Sequence, residues 1–127
     1  MNEMLGLDLL KLATRTIWPY YKGNLSDEEK EKVLREGISL YQNLADRYPR
    51  CFDFPLKIAT LYIYLRDYET ASHYSRKAVS ISDSFGRLEP SIGPIALAEQ
   101  ANELESNGFD AKADRVYLQL EQILAGL

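Results

Sequence analysis

The chain has 127 residues, 46% hydrophobic and 27% charged, which suffices for one folded domain with a buried core and is too apolar for a disordered chain. Its net charge of −4 excludes the basic surface on which nucleic-acid binding depends. The lone cysteine, Cys51, and the lone histidine, His73, exclude an intrachain disulfide and metal sites built on paired cysteines or histidines, and a single thiol fits a reducing cytoplasm.

Met4, Leu5, Leu9, Leu12, Ala13 and Ile17 recur at helical steps and predict a first helix. Leu7 and Leu10 widen its apolar face, so cover from more than one side is expected. Glu3 and Asp8 interrupt the run and no basic segment precedes it, so it does not read as a secretion signal. No apolar window approaches the roughly 18 residues of a membrane span. Pro19 disfavours helix in the residue before it, which predicts an end near Trp18 and a loop over Tyr20–Leu25.

Ser26 and Glu29 form the pattern of a capping box, and Asp27, Glu28 and Glu29 complement the dipole of the helix they open. Val33, Leu34, Gly37, Ile38, Tyr41, Leu44, Ala45 and Tyr48 continue that helix to Pro49. A third helix is expected from about Pro55 to Leu65, a turn at Arg66-Asp67, and a fourth helix from Tyr68 to about Ser82. Gly86, Pro90, Gly93 and Pro94 mark a loop over 84–94. The last pair is expected at about Ile95–Ser106 and Phe109–Leu124, split by Asn107-Gly108.

The helices repeat one another. The spacing from Ala59 to Ala71 equals that from Ala101 to Ala113, so one hairpin geometry serves both pairs. Gly37-x-x-x-Tyr41-x-x-Leu44 has the form of Ala113-x-x-x-Tyr117-x-x-Leu120, which places Gly37 at the same point of an earlier hairpin. The step from Ala71 to Ala113 exceeds the step from Gly37 to Ala71, and the excess falls in the Gly/Pro-rich loop. Small residues recur where two helices must approach closely, with an aromatic residue filling the space beside them.

This pattern resembles the tetratricopeptide repeat (TPR) family, whose period of about 34 residues is the step from Gly37 to Ala71. The matching residues are Ala59, Tyr62, Tyr68, Ala71 and Ala78; Ala101, Leu104, Gly108, Ala113, Tyr117 and Leu120; and Gly37, Tyr41, Leu44 and Pro49. The chain departs from the family at Ser75, where an aromatic is due, and at Pro55 and Leu97, where the family carries tryptophan. The resemblance implies an all-α fold of about six helices, with antiparallel hairpins stacked as a short right-handed superhelix. It divides the chain into a helix and loop at 1–26, a degenerate first repeat at 27–51, a second at 52–85, and a third with the insertion at 86–127.

In that family the first helices of successive hairpins line a concave groove. Carried onto this chain, Leu56, Lys57, Thr60, Ile63 and Tyr64 form one wall, and Ala98, Glu99, Asn102, Glu105 and Ser106 hold the corresponding positions of the next hairpin. Lys57, Thr60, Tyr64, Asn102 and Glu105 are the candidate peptide-binding residues. Glu99 and Glu105 oppose an anionic ligand, so an extended or helical segment with apolar anchors is expected rather than a bound C-terminal carboxylate. Of nine tyrosines, Tyr41, Tyr62, Tyr68 and Tyr117 are assigned to packing, while Tyr20, Tyr21 and Tyr64 stand as interface anchors.

No glycine loop has phosphate-binding spacing, and His73 is expected on an exposed helix face. Cys51 reads as a small loop or core residue, and Trp18 as a core anchor. The function implied is a non-enzymatic adaptor or chaperone-like module that needs no cofactor or metal and binds a peptide segment of another protein. The alternative is a self-assembly unit that forms a homo-oligomer, and the apolar residues Ile123–Leu127 favour a partner at that end.

Overall fold

The computed structural model describes residues 4–85 and 93–127, so Gly86 and Pro90 of the expected loop lie outside the described residues. It contains six helices: α1 Gly6–Lys22, α2 Asp27–Arg47, α3 Asp53–Tyr64, α4 Tyr68–Phe85, α5 Pro94–Ser106 and α6 Asp110–Ala125. The fold is all-α among the described residues, as the periodicity requires. No helix among them is long and apolar enough to cross a membrane.

The helix ends follow their local chemistry. At α2, the Ser26 hydroxyl accepts the Glu29 amide and the Glu29 carboxylate accepts the Ser26 amide, the capping box expected there. At α4, the Asp67 carboxylate accepts the Thr70 amide at 3.2 Å and the Thr70 hydroxyl at 2.8 Å. The turns ending α3 and α5 are built alike. Arg66 and Asp67 donate their amides to Ile63 and Tyr62, and Gly108 and Phe109 donate theirs to Glu105 and Leu104. The turn residue is left-handed both times, with φ of 62° at Arg66 and 81° at Gly108.

α1 departs from expectation in two ways. It runs past Pro19 to Lys22 and ends at Gly23, whose left-handed amide bonds the Pro19 carbonyl. Proline removes a single donor, and in the last turn that loss leaves only an exposed carbonyl one turn earlier to water. The buried face is also rotated. Leu9, Leu10, Ala13, Thr14 and Ile17 are buried, whereas Leu5 and Leu12 are exposed. The cause is that α1 is covered on two sides, as its broad apolar face predicts.

The helices pair as α1–α2, α3–α4 and α5–α6. α2 packs on α3, which joins the first two hairpins. The third hairpin lies against the other side of α1, with α5 also touching α3, and among the described residues α5 makes no packing contact with α4. Hairpin α1–α2 is therefore central. The core runs through Leu10, Ile17, Tyr41, Leu44, Phe54, Ile58, Leu61, Ala101 and Leu120.

In the core the helices meet closely at Gly37. A methyl group there would lie 2.3 Å from Ile17 Cγ2 and 3.5 Å from Leu61 Cδ1, so α1, α2 and α3 meet over an absent side chain. Gly37→Ala is expected to lower the unfolding free energy by about 1–3 kcal/mol, measured by urea denaturation. Arg66→Gly removes a left-handed side-chain clash at a solvent-exposed turn and is expected to raise it by about 0.5–1 kcal/mol.

Candidate peptide-binding surface

The added turn of α1 assembles the site. It places Tyr20 and Tyr21 on the helix, against Tyr64 at the end of α3. The Tyr20 ring stacks on Tyr64 at 5.1 Å, and Tyr21 stands edge-on to Tyr20 at 5.8 Å and to Tyr64 at 6.4 Å. The three tyrosines that repeat packing left unassigned thus form one cluster.

Lys57 ties this cluster to α5. Its ammonium donates to Tyr21 Oη at 2.7 Å and lies 3.8 Å from Glu99 Oε2. The Lys57 side chain is only 11% exposed, so its charge is compensated in a largely dry setting. Burial first, and then the Glu99 charge, push the Tyr21 phenol up to about 12. Tyr21 is therefore neutral near pH 7 and accepts the ammonium proton as an uncharged oxygen.

Beside the cluster runs a row of apolar groups on α3. Leu56, Ile63 and Tyr64 are exposed, and the Thr60 hydroxyl donates to the Leu56 carbonyl at 3.1 Å. That internal bond leaves the row with little polar demand. On the other side of the Tyr20–Tyr64 stack is a cleft of about 530 Å³ walled by Leu34, Leu65, Asp27, Lys30, Glu31 and Arg66.

Lys57, Thr60 and Tyr64 therefore share one surface. Asn102 and Glu105 do not join it. Asn102 is buried, and Glu105 accepts the Tyr117 hydroxyl of α6 and an Arg15 N–H of α1 at 3.2 Å. Burial pushes the Glu105 carboxyl up, but these two hydrogen bonds and the charges of Arg15 and Lys11 outweigh it and hold the group below its usual range. The physical reason is that α5 turns this face onto α1 and α6. Sequence reasoning also missed the tie between Lys57 and Glu99. Its signal was present: the two occupy the same repeat position in successive hairpins, with opposite charges.

The remaining residues with chemical potential sit elsewhere. His73 is exposed, edge-on to Tyr74 at 5.1 Å. Cys51 is buried, and burial pushes its thiol up to about 11. Trp18 is half-buried beneath the Lys22 ammonium. At the far end of the bundle Leu124 is buried and joins Leu5, Leu7 and Tyr48 around a smaller cleft of about 200 Å³, so that end is partly covered by α1.

Asp53 fixes α5 against α3. Its carboxylate accepts the Ile95 amide at 3.1 Å and so caps a helix whose own cap residue, Gly93, has no side chain. A methyl at Gly93 would meet the same carboxylate at 2.4 Å. Compared with protein-family models, with curated proteins and with solved structures, the chain matches none.

The titration of Asp53 follows from its position. Burial raises its carboxyl above the ordinary Asp range, against the opposing pull of the Ile95 amide and the Lys57 charge. The folded state then holds this proton more tightly than the unfolded chain does. Its contribution to stability is largest below the ordinary Asp value and declines as pH rises through the raised folded value. Asp53→Asn keeps an oxygen for the Ile95 amide and removes the charge. Its stability relative to wild type is expected to increase across that window and to level off above it, measured by urea unfolding at a series of pH values.

Proposed function

We propose that the chain is a TPR-like protein-interaction module that holds a peptide segment of a partner protein against the exposed face of α3, acting as an adaptor or chaperone in the cytoplasm. One observation carries this reading. Leu56, Ile63, Tyr64 and Tyr21 are large apolar side chains exposed together beside a compensated lysine. Isolated exposed apolar residues are ordinary on a protein surface, but a row with a polar edge has the composition of a binding face.

The residues suggest how a segment would be held. Leu56, Thr60 and Ile63 lie on one ridge of α3, so apolar anchors spaced one helical turn apart fit along it. The tyrosines offer rigid contact area with few rotatable bonds. Lys57 already bonds Tyr21 and Glu99, and a backbone carbonyl of the segment can accept a further N–H of its ammonium. The TPR reading is supported by small residues at the hairpin crossings: Gly37, Ala71, Ala101 and Ala113 are all buried.

The test combines capture with mapping. A photo-reactive amino acid introduced at position 60 is expected to cross-link one contiguous segment of one partner. Tyr64→Ala is expected to weaken binding of that segment by roughly tenfold or more, since aromatic anchors dominate such interfaces. Unchanged affinity in Tyr64→Ala, with the helical circular dichroism retained, would remove this surface from consideration.

A further inference from the structure

Tyr68 holds a packing position of the repeat, and the structure corrects that assignment: it is 64% exposed. Its surroundings explain why. α2 and α4 are the second helices of their hairpins, with Gly37 and Ala71 at equivalent buried points. The same one-period step carries Leu34, Ile38, Tyr41 and Ala45 onto Tyr68, Ser72, Ser75 and Val79. On α2 this row lies in the core, with Leu34 at 2%, Ile38 at 5% and Tyr41 at 0% exposure. On α4 the same row is open. Val79 is 60% exposed, Ser75 is exposed, and only Ser72 is half-buried.

The packing order accounts for the difference. α2 has α1 on one side and α3 on the other, whereas α4 packs on α3 and, among the described residues, no later helix covers it. Its opposite edge faces α2, where Gln42 donates to Tyr74 Oη at 2.8 Å. Among the described residues α4 thus presents an unpartnered row about three turns long.

We propose that this row is a dimer interface, in which α4 packs antiparallel against α4 of a second copy of the chain. The row itself favours that occupant. Its spacing of four, three and four residues reads the same in both directions. About a twofold axis between residues 73 and 74, Tyr68 meets Val79 of the second copy and Ser72 meets Ser75. Large apolar side chains lie opposite each other at the two ends. The serines at the centre are small enough to let the helices approach closely, and each hydroxyl can bond a carbonyl of its own preceding turn.

The charges beside the row are complementary under the same operation. Glu69 and Arg76 lie on one flank, both exposed, and neither is in an ion pair among the described residues. The twofold brings Arg76 to within about 3 Å along the helix axis of Glu69 in the second copy. The pair occurs twice, once on each side of the axis. A self-complementary row with self-complementary charges is what an isologous contact demands.

Analytical ultracentrifugation of the full chain over a concentration series tests this. A dimer that dissociates on dilution is expected. Val79→Lys, at an exposed site, is expected to give a monomer at every concentration with unchanged circular dichroism. Arg76→Glu and Glu69→Arg are each expected to weaken the dimer by about tenfold, and combining them is expected to restore it. Tyr64→Ala leaves the dimer intact, which separates this surface from the α3 face. A wild-type monomer up to about 1 mM, a dimer that survives Val79→Lys, or a double reversal no better than the single ones would each overturn the proposal.

Discussion

Three helices meet at Gly37 because nothing stands there. Ile17 of α1 and Leu61 of α3 both reach into the space a side chain would fill, so the two hairpins register against each other at one point. Core contacts tolerate little change in volume, and this one is shared by three elements. The placement of α1 follows from it, and with it the position of Tyr20 and Tyr21. The candidate surface depends on this contact although Gly37 itself is buried.

The third hairpin is held differently. Its interior mixes small and large residues, with Ala98, Ala101, Ile95, Leu97 and Leu120 buried, and polar ties at the rim add to its register. Asp53 caps α5, Lys57 meets Glu99, and Arg15 and Tyr117 meet Glu105. Ties of this kind specify orientation more than they add stability, because each charge must first give up water. This explains why the α5 face resisted reading. A helix carrying Glu99, Asn102 and Glu105 looks solvent-facing by composition, and only tertiary partners make it an inward one.

Much else was legible from local chemistry. Ser26 with Glu29, the Asn107-Gly108 turn and the recurrence of small residues at the crossings are short-range signals, and short-range physics decides them. Pro19 misled because its effect depends on position. The same residue that breaks a helix interior is tolerated in a final turn, and only Gly23 one turn on marks the true end. Tyr68 misled for a further reason. Its repeat position is a packing position, but packing needs a neighbour, and nothing local says whether the neighbour is present. The surface rows on α3 and α4 were therefore partly visible as composition and invisible as exposure.

The link between Arg15 and Glu105 spans 90 residues. α1 receives half its cover from α2 at once and the other half only from the last hairpin. During synthesis the chain emerges at roughly 5–20 residues per second, so for several seconds α1 to α4 exist with one side of α1 bare. On that side Lys11 and Arg15 await their partners Tyr117 and Glu105. The nascent chain thus exposes a side of α1 that the finished fold covers, and non-local closure of this kind slows folding relative to hairpin formation. The first two hairpins are a scaffold awaiting its lid in time as well as in space.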